Sequence, residues 1–175
     1  MEIIDTKFDG VKLFNGNVFQ DERGIFIKNF SHSVYKKFMK KEIKEIYYST
    51  SSKNVLRGMH FQVAPFEHEK IVHVIDGSIL DVVVDIKKDS PTFGEYFSTT
   101  MGGFDNRSVY MNEDFAHGFL TLSETATVLY AVTSEYNKDC DTGIKWDSFN
   151  FNWGVENLII SERDKNFRSL KAFYE

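Results

Sequence analysis

The segment Val55–Gln62 concentrates polar side chains that could do chemistry within otherwise apolar sequence. Arg57, His60 and Gln62 interrupt a run of aliphatic, aromatic and small residues. Because side chains alternate between the two faces of a strand, His60 and Gln62 can enter a barrel interior together. A single histidine in such a strand is more often a core residue whose ring is hydrogen-bonded to a backbone carbonyl. His60 alone therefore does not indicate a functional site.

Three other apolar stretches each contain one ionisable side chain. Lys70 begins the next strand pattern, His117 lies within Phe115–Phe119, and Tyr130 lies in the middle of Val128–Val132. Buried ionisable groups are costly unless they are paired or functional. The sequence therefore predicts a polar site inside the fold to which several strands contribute.

A catalytic metal is one alternative for this site. His60, a carboxylate such as Glu67 or Glu69, and His117 could form a cupin-like ligand set. A metal-binding barrel of this kind would favour a second histidine two residues after His60, and Gln62 is a poor ligand. We therefore expect no metal.

Nucleophilic hydrolysis and phosphate binding by a glycine-rich loop find little support. The chain contains no Gly-x-Ser-x-Gly motif, and Cys140 lies between the acidic residues Asp139 and Asp141, which do not favour a reactive thiolate. Gly102-Gly103 is typical of a turn and does not match a Walker motif.

Short strands separated by turn residues must position these side chains. From residue 55 to about 135, apolar and β-branched runs alternate with turn signals. Regular spacing of this kind favours an all-β fold, a sandwich or barrel of the jelly-roll type with short peripheral helices. The strands are predicted at Lys70–Val74, Ser78–Ile86, Tyr96–Thr100, Val109–Met111, Gly118–Leu122 and Thr127–Thr133.

Other local patterns refine this prediction. Asp81 and Asp85 share one strand face, which should be the barrel interior, and Asp76-Gly77 is a strong hairpin signal. A short helix is predicted near 32–42. The tail after Asn150 is expected to be partly helical and to fold back over one mouth of the barrel.

The bulk properties fit one protein domain over 1–175. A net charge of -5 argues against nucleic-acid binding, and the basic run Lys36–Lys44 alternates with apolar residues as on the solvated face of a helix. The lone Cys140 suits a reducing compartment. Neither a signal peptide nor an apolar stretch of about 18 residues is present, so we expect a cytoplasmic location and no membrane contact.

An ordered series of motifs extends over almost the whole chain. In the types and order of these motifs, the chain resembles the dTDP-4-dehydrorhamnose 3,5-epimerase family. The resemblance covers residues from about 8 to 170. Its motifs are Asp21–Phe26, Arg57–Gln62, Lys70, Asp81–Asp85, Ser90–Gly94, Phe115–Phe119, Tyr130 with Tyr136 six residues later, and Ser161–Asp164.

The resemblance implies a cupin-type jelly-roll, a homodimer, a nucleotide-diphospho-4-keto-sugar as substrate, and neither a metal nor a nicotinamide cofactor. It implies that His60 is the base, that Asp164 orients it, that Tyr130 is the acid on the opposite face of the sugar, and that Lys70 lies beside the C4 carbonyl. The residues that would bind the sugar, the phosphates and the nucleotide are Arg57, Gln62, His117, Tyr136 and Arg23, the last often supplied by the partner chain.

The chemistry of these residue types agrees with that assignment. Removing a proton from a carbon next to a ketone forms an enolate, and an ammonium such as Lys70 near its oxygen stabilises the charge. Histidine, with an unperturbed pKa near 6.5, suits a base at neutral pH. Inversion needs a second group on the opposite face, where the phenol of Tyr130 can donate.

Several positions depart from the family pattern. Glu45 and Tyr47 stand where the family usually has Gln and Asn, Lys28 replaces a common Glu, and Asn112–Asp114 replaces Pro-x-Gly. We expect these departures to cluster where nucleotide and sugar bind. Glu45 could accept hydrogen bonds from guanine N1–H and its amino group, which suggests a GDP-linked 4-keto-hexose or heptose; alternatively Glu45 is a solvated residue at a strand edge.

Two other functions remain open at this stage. A sugar 3,4-ketoisomerase on the same barrel also begins with proton abstraction but moves the carbonyl. A non-catalytic sugar-nucleotide sensor would be expected to lack His60, Tyr130 or Asp164, and all three are present. The sequence does not decide whether C3, C5 or both are inverted.

Overall fold

The structure is a computed structural model that describes all residues from 1 to 175, and it consists almost entirely of strands. The predicted all-β fold is confirmed. The elements are β1 (Glu2–Asp5), β2 (Val11–Asn15), β3 (Asn17–Asp21), β4 (Gly24–Lys28), α1 (His32–Tyr35), β5 (Glu45–Ser52), β6 (Val55–Gln62), β7 (Lys70–Asp76), β8 (Ser78–Asp85), β9 (Tyr96–Gly102), β10 (Arg107–Met111), β11 (Phe115–Thr121), β12 (Thr125–Val132), β13 (Asp141–Gly143), β14 (Ile159–Ile160) and α2 (Glu162–Lys165).

The strands form two main sheets. The first sheet has the order β1-β2-β10-β7-β12-β5, and the second has the order β13-β6-β11-β8-β9, with β14 added parallel to β6. From β5 to β8 and from β9 to β12, successive strands belong alternately to the two sheets, which is the connectivity of a jelly roll. A separate two-stranded hairpin is formed by β3 and β4.

Strand alternation sorts side chains between the barrel interior and two outer cores. On β8, Ile79 and Val83 face the interior core, whereas Val82 and Val84 pack under the C-terminal segment with Trp153. Both faces of this sheet are therefore buried, which explains the nearly continuous apolar run of β8. The outer face of the first sheet is covered by the segment around α1, through a cluster that includes Tyr35 and Phe14.

The turn at Asp76-Gly77 does not close a hairpin, so that prediction was wrong. Gly77 adopts a φ of 77°, as a tight turn requires, but β7 and β8 belong to different sheets. The Gly77 carbonyl accepts a hydrogen bond from Gly103 N–H, and Ser78 N–H donates to Ser123 Oγ. The turn is a corner of the barrel because the apolar faces of both strands must cover the same core.

The helix predicted near 32–42 is reduced to the four residues of α1. Beyond it, the backbone N–H groups of Lys40 and Lys41 donate to the buried carboxylate of Glu69 at 2.9–3.2 Å. A side chain from the barrel thus binds N–H groups that a longer helix would pair internally. The other helix, α2, also has four residues, and neither is long enough to cross a membrane.

Candidate active site

A cavity of about 700 Å³ opens between the two sheets. Strands from both sheets and the C-terminal tail contribute to it. Its lining includes Lys44, Glu45, Tyr47, Ser49, Arg57, His60, Gln62, His68, Lys70, His117, Phe119, Tyr130, Tyr136, Asp141 and Arg163. Eight of the ten site residues predicted from the sequence line this cavity, and Asp164 lies behind its wall in contact with His60. The tenth, Arg23, lies elsewhere.

His60 on β6 forms a hydrogen-bonded pair with Asp164 on α2. His60 Nε2 lies 2.9 Å from Asp164 Oδ1, and the Gly58 N–H donates to Asp164 Oδ2 at 3.1 Å. Burial opposes ionisation of Asp164, but these hydrogen bonds outweigh it and hold the pKa of the carboxyl below its usual value. An ionised Asp164 accepts the Nε2 proton, so Nδ1 is the nitrogen of His60 left free to accept another.

Local sequence accounts for the position of this pair. Ser161 caps α2 by accepting a hydrogen bond from the Asp164 N–H, which fixes the buried carboxylate at the start of the helix. The ring of Phe167 packs edge-on against His60, with centroids 5.9 Å apart. The tail therefore covers this side of the barrel, as predicted.

A second histidine–carboxylate pair lies beside the first. His117 Nε2 is 2.7 Å from Asp81 Oδ2, both side chains are buried, and His117 is the register partner of His60 on the neighbouring strand. Glycine permits this close approach: a Cβ on Gly58 would lie only 2.6 Å from Cα of Gly118. Burial holds the pKa of His117 below its usual value although Asp81 opposes the shift.

Lys70 brings a buried ammonium into the cavity. The residue is 6% exposed, and burial lowers its pKa to about 8, while Asp141 and Asp81 act in the opposite direction. Lys70 is therefore largely charged at neutral pH and has no ion-pair partner within 4 Å among the charged side chains. An ammonium held in this way suits the stabilisation of a negative charge that develops on a ligand.

Tyr130 on β12 forms another part of the cavity wall. The residue is 7% exposed, and its hydroxyl lies 3.4 Å from Ser49 Oγ. The ring stacks on Tyr47, its register partner on β5, and meets the ring of His117 at a steep angle. Burial raises the pKa of Tyr130, so the phenol keeps its proton at neutral pH and can act as a donor.

Two predicted binding residues make contacts that the sequence does not show. Arg57 Nε donates to Ser51 Oγ at 2.9 Å. Gln62 is 4% exposed, and its side-chain oxygen accepts a hydrogen bond from the Asn137 N–H. Its side-chain nitrogen donates to the carbonyls of Glu135 and Phe66. Gln62 thus links the loops that flank the cavity.

The mouth of the cavity carries two further linked pairs. Glu45 Oε2 accepts a hydrogen bond from the Tyr136 N–H at 3.1 Å, and the Tyr136 side chain is exposed. Arg163 forms an ion pair of 2.7 Å with Asp141. These groups provide donors, acceptors and an aromatic surface at the entrance.

Arg23 does not line the cavity of its own chain. It lies in the turn of the β3–β4 hairpin, where it is exposed and paired with Asp21. The expected clustering of the departures also holds only in part, because Glu45 and Tyr47 line the cavity whereas Lys28 and Asn112–Asp114 do not.

The residues of the alternative metal set are directed apart. The carboxylate of Glu69 binds Tyr110 Oη and backbone N–H groups outside the barrel, and Glu67 pairs with Lys41. His60 and His117 each use Nε2 to contact an aspartate.

Several cavity residues were missed as site residues by sequence reasoning. Asp81 was placed on the correct interior face, but its pairing with His117 depends on the β8–β11 register. No periodic signal indicates Asp141, on the three-residue strand β13, or Arg163, on the four-residue helix α2. Other polar lining residues that were missed are Lys44, Ser49, His68 and Ser134.

Comparisons with known proteins agree with this geometry. A family model described as dTDP-4-dehydrorhamnose 3,5-epimerase matches residues 5–172. Proteins of that name from Methanothermobacter thermautotrophicus and Shigella flexneri are 37% and 36% identical, over 96% and 95% of this chain and 94% of each relative. A crystal structure of dTDP-6-deoxy-D-glucose-3,5-epimerase from Legionella pneumophila with dTDP-4-keto-L-rhamnose superposes with a TM-score of 0.93 at 31% identity, covering 97% of this chain and 93% of that one.

Proposed function

The chain belongs to the dTDP-4-dehydrorhamnose 3,5-epimerase family, and we propose from this premise that its cavity inverts carbon centres beside the ketone of a dTDP-linked 4-keto-sugar. As a member of this family it is an isomerase-class enzyme. The observation that carries the proposal is the convergence of a histidine–aspartate pair, a buried ammonium and a buried phenol on one cavity. In this proposal residues 1–175 form one epimerase domain.

Proton abstraction is assigned to His60. Asp164 binds Nε2, so the lone pair of Nδ1 takes the proton from the carbon next to the ketone, and the carboxylate stabilises the imidazolium that forms. Lys70 donates to the C4 oxygen, where the enolate charge collects. His117, held by Asp81 and kept neutral by burial, lies beside this oxygen site as a further wall of the pocket.

Reprotonation is assigned to Tyr130. Its phenol remains protonated at neutral pH because burial raises its pKa, and transfer of that proton to the carbon from the face opposite His60 inverts the centre. The phenolate then regains a proton from solvent, and His60 releases its own to solvent. Because C3 and C5 flank the same ketone, the same pair can act at either centre.

A homodimer fits the isolated hairpin of β3 and β4. The hairpin pairs with no other strand of the chain, and it exposes Phe19 and Phe26 at 57% and 61%. A two-stranded hairpin is marginally stable in water by itself. Docking on a second copy would bury these rings and bring Arg23 to the partner's cavity, where its guanidinium would bind the diphosphate.

The nucleotide is proposed to be dTDP, since the relatives that match act on dTDP-sugars by name. A GDP-linked hexose or heptose is the second candidate, carried by Glu45. Its Oε2 accepts from Tyr136 N–H, which leaves Oε1 for a donor on the base. Guanine offers two adjacent donors on this edge, whereas thymine offers one.

The test is turnover of dTDP-, GDP- and CDP-linked 4-keto-6-deoxy sugars followed by NMR. We expect inversion at C3, C5 or both with the ketone retained at C4, and preference for dTDP. Preference for GDP would replace the first candidate by the second. A ketone moved to C3 would indicate a 3,4-ketoisomerase, and binding without turnover of any donor would indicate a sensor and refute the proposal.

A further inference from the structure

The ring of Tyr47 covers one face of Tyr130. The two residues are register partners on β5 and β12, and their rings stack with centroids 4.9 Å apart at 22°. Tyr47 is 43% exposed, lies on the edge strand of its sheet and lines the cavity together with Tyr130.

The hydroxyl of Tyr130 is weakly held by hydrogen bonding. Its partner is Ser49 Oγ at 3.4 Å, beyond the usual range for a bond between hydroxyl groups. The position of the phenol therefore depends on packing around the ring. Tyr47 contacts one face, and His117 approaches from another direction with centroids 6.2 Å apart at 72°.

His117 is fixed by its hydrogen bond to Asp81, so that side of Tyr130 is rigid. Tyr47, on the other side, lies on an edge strand and is partly exposed, so this face of Tyr130 is held less firmly. A smaller residue at 47 would leave the face of Tyr130 open to water, and the ring could tilt towards the edge of the sheet. Proton transfer to carbon requires a donor held within a narrow range of distance and angle.

We propose that Tyr47 is a positioning residue for proton delivery: by stacking on Tyr130, its ring holds the phenol at the distance and angle that inversion requires. This inference rests on the proposed role of Tyr130 as the acid. It concerns the second half of the reaction and leaves proton abstraction by His60 unchanged. The phenol of Tyr47 itself is not needed, because the contact is made by the ring.

The experiment compares Tyr47→Leu with Tyr47→Phe in D₂O. Two rates are followed by NMR with the 4-keto-sugar that the wild-type enzyme accepts: deuterium uptake at the reacting carbon and inversion of that carbon. Tyr47→Leu should lower inversion relative to deuterium uptake by roughly twofold to tenfold, the range expected for loss of one aromatic stack. Tyr47→Phe keeps the stack and should restore the wild-type ratio.

A role in binding substrate predicts another pattern. If Tyr47→Leu raises KM, or lowers uptake and inversion in parallel, Tyr47 acts on the substrate and the inference is overturned. Crystal structures of the ligand-free variants give a readout that does not need activity. Tyr130 should occupy one position in Tyr47→Phe and be displaced or split in Tyr47→Leu.

The two readouts separate the inference from the proposed function. If the wild-type enzyme turns over no donor but Tyr130 moves in Tyr47→Leu, the epimerase proposal fails and the packing role stands. If turnover is normal and both Tyr130 and the ratio are unchanged in Tyr47→Leu, the inference fails and the epimerase proposal stands.

Discussion

Replacing Lys70 by Met should stabilise the protein while it abolishes turnover. The ammonium is buried in the cavity wall with no ion-pair partner within 4 Å, and burial lowers its pKa from 10.5 to about 8. Asp141 and Asp81 recover part of the loss of hydration. Holding Lys70 in its charged form therefore costs folding free energy, which the enzyme tolerates because the charge is needed at the C4 oxygen.

The magnitude follows from the shift in pKa. A change of about 2.5 units corresponds to roughly 3 kcal/mol at 1.36 kcal/mol per unit. Met is shorter than Lys, and the missing atoms should cost about 1 kcal/mol in packing. We expect a net stabilisation of about 2 kcal/mol at pH 7, or roughly 5 °C in Tm for a chain of this size.

The difference in stability between the Lys70→Met variant and the wild type should depend on pH. Below pH 8, Lys70 is protonated in both the folded and the unfolded state, so the whole cost is present. Between about pH 8 and 10.5 the unfolded state binds more protons, so wild-type stability gains on the Met variant as the cost of the charge disappears. Above that range only the packing loss remains, and the wild type should be the more stable protein by about 1 kcal/mol.

Urea unfolding of both proteins from pH 7 to 10.5 measures this difference. The exposed residue Lys88 provides a matched control, since Lys88→Met should change stability by less than about 0.5 kcal/mol. A Lys70→Met protein less stable than the wild type at pH 7, or a stability difference independent of pH, would refute the reasoning.

Three other predictions concern Asp164, Glu69 and the pH dependence of turnover. Asp164→Asn should lower kcat by about 10²–10⁴-fold with folding retained, because an amide no longer stabilises the His60 imidazolium; a kcat within threefold of wild type would contradict the assigned pair. Glu69→Gln should destabilise the protein by about 1–3 kcal/mol in urea unfolding, because its amide group would face donors such as Tyr110 Oη, and unchanged stability would show that these bonds contribute little. The kcat of the wild-type enzyme should fall above about pH 8 as Lys70 loses its proton, and a kcat that stays constant to pH 10 would exclude a role for the ammonium.

Much of the fold was predictable because its strands are short, regular and separated by turn residues. The connections were harder. The dipeptide Asp76-Gly77 is compatible with a hairpin turn and equally with a corner between two sheets. Only the packing of both strands on one core distinguishes the two structures. The length of α1 was overestimated because Glu69, 29 residues from Lys40 in sequence, binds backbone groups that the helix would have used.

The candidate site was predictable where strand alternation alone places a side chain inside the barrel. His60, Lys70, His117 and Tyr130 meet this condition. Asp164 does not, since 104 residues separate it from His60 and only the resemblance to a family indicated it.

Other parts of the site depend on contacts that no local pattern encodes. The Asp81–His117 pair needs the register of two strands. The amide of Gln62 is directed by two loops, through Phe66 in one and through Glu135 and Asn137 in the other. Arg23 lies outside the cavity of its own chain, so its proposed role requires a second copy.

The central claim is that His60 removes the proton and Tyr130 returns one from the opposite face. Deuterium uptake beside the ketone, measured by NMR in D₂O for wild type, His60→Asn and Tyr130→Phe, tests it most directly. We expect no uptake in His60→Asn, and uptake with little inversion in Tyr130→Phe because His60 can return deuterium to its own face. Undiminished uptake in His60→Asn, or undiminished inversion in Tyr130→Phe, would contradict it.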